Sequence, residues 1–99
     1  MATRSREFAR RFNALTSADL FNHATLTSYL RSPARNAEVG GAAHSKHLIG
    51  EAADIVFRGS PSTWPMARVR AAVQRAGLRL RDERYQTRGT GAHLHIESV

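Results

Sequence analysis

The 99-residue sequence contains no cysteine. This absence excludes a disulfide framework and any thiolate metal site, so a bound metal would have to be held by histidine and carboxylate side chains. Long apolar runs are also missing, since no stretch approaches the roughly 18 apolar residues that a membrane span needs. The basic segment 1–7 is not followed by an apolar stretch, and we therefore do not expect a secretory signal there.

Acidic residues are few, because eight Asp and Glu stand against fifteen Lys and Arg and leave a formal net charge of +7. Lys46 is the only lysine among these fifteen basic residues. A basic domain favours nucleic acid, an anionic cell-wall polymer or an anionic membrane surface as its partner. The arginines are spread along the chain, without a helix-turn-helix, zinc-finger or RNA-binding signature. Nucleic acid is therefore a candidate partner from charge only.

Length and hydrophobic patterning predict one α+β domain over residues 1–99. Residues 1–24 form its N-terminal helical segment, in which Phe8, Phe12 and Leu15 have the spacing of an amphipathic helix. Two further helices are predicted, one that is short and one that is well marked, and Gly77 would end the second. They cover residues 32–39 and 66–76.

Four segments have the alternation or the β-branched content of strands, and the last two are expected to pair in antiparallel fashion. These segments are 25–30, 52–57, 78–85 and 92–97. The expected architecture is a small antiparallel sheet with two or three helices.

The sequence has five histidines, and four of them lie in or beside the two segments 44–54 and 93–96. Any single histidine is more often a structural imidazole than a ligand. A catalytic zinc site, however, takes three ligands from histidine and carboxylate side chains and leaves a fourth position for water. His47, Asp54 and His95 would supply that set.

The spacing of His47 and Asp54 alone does not show whether both could bind the same metal. On one continuous strand, His47 and Asp54 would face opposite ways, because they are seven residues apart. Gly50 lies between them and would allow the chain to bend.

The pattern Ser-x-His-x-x-Gly-x-Ala-x-Asp runs without a gap from Ser45 to Asp54. Together with residues 29–41 and His95-Ile96, it resembles the family of zinc D-alanyl-D-alanine carboxypeptidases and phage L-alanyl-D-glutamate endolysins. This family has the hedgehog-type DD-peptidase fold. The resemblance implies that Zn²⁺ is bound by His47, Asp54 and His95.

The resemblance also implies roles for residues outside the metal ligands. Arg31 falls on the family's arginine, which stabilises the developing oxyanion, and Ser45 falls on a small polar residue that orients the substrate or a ligand. The family's acidic general base, three positions before the last histidine, is replaced here by Ala92. Three nearby acids could take over this role, namely Glu83, Asp82 and Glu97, and His93 shares a strand face with His95. Glu83 is the first candidate, since its strand is expected to lie beside that of His95. Restoring an acid with Ala92→Glu is expected to raise turnover.

Two functions remain open on these grounds. The first is a zinc peptidase that cleaves stem-peptide amide bonds of peptidoglycan next to a D-amino acid. The second is a structural or binding module of a phage particle that keeps the fold, contacts other phage structural proteins or the cell wall, and does not cleave. The short chain, the missing acid and the high pI favour a phage-encoded protein, located in the host cytoplasm or in the particle.

Overall fold

The structure is a computed structural model that describes residues 2–29, 46, 50–86 and 91–99. In this part of the chain it has two α-helices, four strands and two short 3-10 helices. The helices are α1 (Ala2–Thr16) and α2 (Met66–Arg75), and the strands are β1 (Ala24–Ser28), β2 (Ala52–Phe57), β3 (Leu78–Glu83) and β4 (His93–Ser98). The 3-10 helices are Asp19–Phe21 and Pro61–Thr63. The predicted α+β class is confirmed, and the helix predicted over 32–39 lies outside the described residues.

The first helix forms where its apolar stripe predicts it. Phe8, Phe12 and Leu15 are all buried, with Phe8 only 1% exposed. Near the end of α1, the Thr16 hydroxyl donates a hydrogen bond of 2.9 Å to the carbonyl of Phe12, one turn earlier. Neither helix of the described residues is long and apolar enough to cross a membrane.

The second helix ends at Arg75, just before the predicted stop at Gly77. Gly77 has a φ of +75°, a conformation that glycine adopts without the steric cost of a side chain. Its carbonyl accepts a hydrogen bond of 3.0 Å from Arg11 Nη1. The turn after α2 is thereby tied to α1.

The four strands form one antiparallel sheet in the order β1-β2-β4-β3. Strands β2 and β4 are central and almost wholly buried, whereas the edge strand β1 is largely exposed. The predicted boundaries of β2 agree with the structure, and β4 begins one residue later than predicted. The predicted pairing of the last two strands is confirmed by the β3–β4 ladder.

One face of the sheet packs on both helices. Because side chains alternate along a strand, Ile55, Leu94 and Ile96 point to this face and join Phe8 and Val69 in the hydrophobic core. The opposite face of the sheet carries the remaining side chains of each strand, and most of these are polar. This second face holds the candidate site.

Candidate metal centre

The polar face of the sheet gathers titratable side chains from three strands. Asp54 pairs with His95 across the β2–β4 ladder, and Glu83 pairs with His93 across the β3–β4 ladder. Glu97 follows on the same face of β4, two residues beyond His95. Alternation and register therefore bring Asp54 and His95 together, although they are 41 positions apart in the sequence.

Asp54 and His95 are in direct contact. Asp54 Oδ1 lies 3.1 Å from His95 Nδ1, and the two side chains are 6% and 9% exposed. The second ring nitrogen, His95 Nε2, lies 2.8 Å from Glu97 Oε1. Each ring nitrogen thus faces a carboxylate, and the protonated imidazole donates a hydrogen bond to both. Burial opposes the charged ring, but hydrogen bonds to Asp54 and Glu97 outweigh burial and raise the pKa of His95.

Glu97 is held by cations in addition to His95. Arg79 Nη1 is 3.5 Å from its carboxylate, and Arg81 Nη1 and Lys46 Nζ are each 3.7 Å away. Burial alone would raise the pKa of Glu97, but the hydrogen bond from His95 and the neighbouring positive charges lower it. Glu97 is therefore an ionised, buried acceptor at one side of His95.

Glu83 is the residue predicted to replace the missing acid, and it points to the polar face as expected. Its Oε1 accepts a hydrogen bond of 2.8 Å from His93 Nε2, while the same nitrogen lies 3.9 Å from Asp54 Oδ1. The contact of Glu83 is thus with His93, although its strand also lies beside His95. Asp82 points to the other face, where Arg84 hydrogen-bonds its carboxylate and holds the pKa of Asp82 below its usual range.

Ala92 comes just before β4, and its surroundings bear on the expectation for this position. Ala92 packs against the hydrophobic core rather than on the polar face. In the Ala92→Glu variant, a carboxylate would therefore meet apolar side chains instead of lying beside His95. The effect of Ala92→Glu on turnover stays a prediction, which a rate measurement on this variant would test.

Lys46 contacts β4 through its side chain and Glu51 through its backbone carbonyl. Lys46 Nζ donates a hydrogen bond of 2.7 Å to the carbonyl of Ser98, and the carbonyl of Lys46 accepts one of 2.9 Å from the Glu51 amide. Gly50 has a φ of +72°, which agrees with the bend predicted at this glycine. These contacts hold the residue that precedes His47 beside the strand of His95.

Three predicted site residues, Arg31, Ser45 and His47, lie outside the described residues. Within the described ranges, no group of three or more histidine, aspartate and glutamate side chains has an arrangement that could hold a metal ion. Two of the three predicted ligands, Asp54 and His95, are in contact there. A site of three protein ligands needs one more donor.

Two contacts at this site were not predicted from the sequence, where Glu97 is only one of the acids that could replace the missing base and Lys46 has no assigned role. The signal for Glu97 was its position two residues after His95 on a strand, where it must share a face with the histidine. Lys46 lies inside the Ser45–Asp54 motif, but its partners Glu97 and Ser98 are some 50 residues away. That contact follows only from the pairing of β2 with β4.

A family model described as peptidase M15 matches residues 6–96. No curated protein and no solved structure matches the chain. The match covers most of the 99 residues and includes the Ser45–Asp54 motif, three complete strands, most of α1 and the first four residues of β4. It confirms the resemblance that this motif carries, and the chain belongs to the peptidase M15 family.

Proposed function

We propose that this M15 peptidase is a zinc enzyme that cleaves amide bonds next to a D-amino acid in the stem peptides of peptidoglycan. The observation that carries the proposal is the buried contact of Asp54 with His95. Both residues are the ones that the family resemblance assigns as zinc ligands. We propose His47 as the third ligand, because Lys46 holds the chain next to this position against β4.

The donor atoms fit a zinc ion in chemistry and in separation. Zinc binds carboxylate oxygen and imidazole nitrogen at about 2.0–2.1 Å in a tetrahedral arrangement, so that two ligand atoms lie roughly 3.3 Å apart. Asp54 Oδ1 and His95 Nδ1 are separated by 3.1 Å. When bound, zinc would lower the pKa of a bound water to about 7 and polarise the scissile carbonyl.

Glu83 and His93 are proposed to handle protons during cleavage. Cleavage of an amide needs a group that takes a proton from the attacking water and one that protonates the leaving amine. Glu83 is partly exposed, with 31% of its side chain accessible, and its hydrogen bond to His93 connects it to the buried part of the polar face. A carboxylate at that position can exchange protons with water and with a bound peptide.

Arg31 and Ser45 have proposed roles that rest on the resemblance. A guanidinium near the reacting carbonyl would stabilise the negative charge that develops on its oxygen, and losing one such donor typically costs about 10²–10³ in rate. Ser45 would orient the substrate or a zinc ligand through its hydroxyl. The proposed site is then complete. Arg31 and Glu83 act in catalysis, Ser45 binds the substrate or orients a ligand, and the three metal ligands hold zinc.

The basic surface supports an anionic polymer as the binding partner. Arg58 and Arg68 are exposed and line an open groove of about 530 Å³ together with His23 and Trp64. Other arginines are in ion pairs with acids, such as Arg10 with Glu7. The groove therefore offers positive charge to a polyanion such as the cell wall.

The experiment for this proposal is a digest of purified peptidoglycan followed by mass spectrometry of the fragments. Zinc-loaded protein should release stem-peptide fragments cut beside a D-amino acid, and the same protein stripped with a chelator should not. His95→Ala serves as the matched inactive variant, since it removes one ligand from the buried pair. Fragments that appear equally with His95→Ala would contradict the proposal.

A phage structural or binding module is the second candidate function. The specific observation in its favour is Ala92, which stands where the family has an acid and packs against the core. Such a module would bind the cell wall and leave the muropeptides unchanged. Zinc-loaded wild-type protein that binds wall but yields no new fragment would favour this function over the peptidase.

A further inference from the structure

Glu97 lies where it can set the orientation of the His95 ring. Its Oε1 is 2.8 Å from His95 Nε2, on the side of the ring opposite the 3.1 Å contact between His95 Nδ1 and Asp54 Oδ1. Both side chains are 9% exposed, so water competes little for this hydrogen bond. The imidazole is therefore held at both nitrogens between two carboxylates.

We propose that Glu97 is a positioning residue for the metal site, which holds the Nε2–H of His95 and thereby presents Nδ1 to the metal. This inference rests on the proposed function, because it takes His95 to be a zinc ligand. A histidine that binds a metal through one nitrogen usually donates its other N–H to a carboxylate or carbonyl, which fixes the tautomer and the ring orientation. Neither the motif nor the family match assigns this role to Glu97.

Nearby cations stabilise the carboxylate form of Glu97, which accepts the hydrogen bond from His95. Arg79, Arg81 and Lys46 each place a cationic nitrogen within 3.7 Å of its carboxylate. Lys46 also contacts the carbonyl of Ser98, so Glu97 lies between the ring of His95 and Lys46, the residue before His47. Glu97 thus orients the proposed ligand His95 and contacts Lys46, which precedes the proposed ligand His47.

The test measures zinc affinity by competition with a chromophoric chelator. Removing such a second carboxylate typically weakens metal binding by about 10–100-fold, and we expect this loss for Glu97→Ala. Glu97→Gln keeps an acceptor oxygen at the same place and should lose less than Glu97→Ala. Glu51→Gln is the matched control, since Glu51 is a buried carboxylate that Arg4 and Ser98 hold instead of a histidine.

A double variant separates positioning from simple charge. Glu97→Ala also leaves uncompensated positive charge near the site, which could itself repel zinc. Glu97→Ala combined with Arg81→Gln has the same formal net charge as the wild type. If Glu97 acts through its hydrogen bond, the double variant stays weak, whereas recovery of wild-type affinity would overturn the proposal.

The position of the His95 proton can be measured in the wild type itself by NMR, so this test does not require a variant to fold. In zinc-loaded, ¹⁵N-labelled protein, His95 should carry its proton on Nε2, with a slowly exchanging N–H resonance that is absent from folded Glu97→Ala and present in Glu51→Gln. A wild-type protein that binds zinc with the proton on Nδ1, or a folded Glu97→Ala with unchanged affinity, would overturn this inference alone. A wild type that binds no zinc would overturn the proposed function as well.

Discussion

Glu83 and His93 face each other across the β3–β4 ladder, and Glu83 Oε1 accepts a hydrogen bond of 2.8 Å from His93 Nε2. The next residue, Asp82, points to the opposite face of the sheet and contacts Arg70 and Arg84. Two adjacent acids on one strand therefore have different environments. This difference supplies a matched pair of variants for the proposed proton-handling role.

Glu83→Gln should lower the turnover of stem peptides by about 10²–10⁴-fold, the usual contribution of a general acid–base group. Its zinc content should not change, because the amide does not alter Asp54 or His95. The measurement is the rate of fragment release by zinc-loaded protein. Asp82→Asn is the control and should keep its turnover. If Asp82→Asn lost as much turnover as Glu83→Gln, the effect would be one of stability rather than of chemistry.

In the zinc-free protein, the contribution of His95 to the free energy of unfolding should decrease as the pH rises. The hydrogen bonds to Asp54 and Glu97 raise the pKa of His95 in the folded state above its unfolded value, despite the opposing effect of burial. A group of this kind stabilises the fold below its unfolded pKa of about 6.5 and loses that contribution as the pH rises through the folded pKa. Zinc affinity should change in the opposite direction and increase with pH, because zinc must displace a proton from the ring.

The check is urea unfolding of zinc-free wild type and His95→Gln at several values between about pH 5.5 and pH 8, a range that brackets the titration of an ordinary histidine. The difference in the free energy of unfolding between the two proteins should shrink towards the high end of this range. A difference that grows with pH would show that the imidazole is held in its neutral form, contrary to the two hydrogen bonds described.

Association with purified cell wall should depend on salt and on the arginines of the groove. Arg58→Gln combined with Arg68→Gln should weaken binding at low ionic strength and flatten its salt dependence, since exposed charges are screened by salt. The control is Arg10→Gln combined with Arg70→Gln, which removes the same charge from two arginines outside the groove that contact Glu7 and Asp82. Sedimentation of the wall together with its bound protein, repeated at several salt concentrations, measures the binding and its salt dependence.

Wall binding that is the same at low and high salt would contradict this account of the basic surface. Equal losses in the two double variants would mean that net charge, and not the groove, governs association. A marked preference for duplex DNA over wall in the same assay would instead favour nucleic acid as the partner.

The fold could be predicted largely from the sequence because its signals are local. The stripe of Phe8, Phe12 and Leu15 predicts α1, and the run from Ala52 to Phe57 predicts β2 at its observed boundaries. The 3-10 helix Asp19–Phe21 was not predicted, since a single turn leaves no periodicity to detect.

The site could be predicted only in part, because its contacts depend on register. The motif indicates Asp54 and His95, but the order β1-β2-β4-β3 is what makes them neighbours. The cations around Glu97 come from β3 and from Lys46, and they follow from pairing between distant strands. No spacing in the sequence carries that information.

The most direct test of this account is the zinc content of three purified proteins, measured by elemental mass spectrometry after preparation without chelator. The wild type should hold about one zinc per chain, since a catalytic site of three protein ligands binds one ion. His93→Ala should keep this zinc, because His93 contacts Glu83, whereas His95→Ala should lose it, because His95 contacts Asp54. Absence of zinc from the wild type, or zinc retained by His95→Ala and lost from His93→Ala, would contradict the metal centre proposed here.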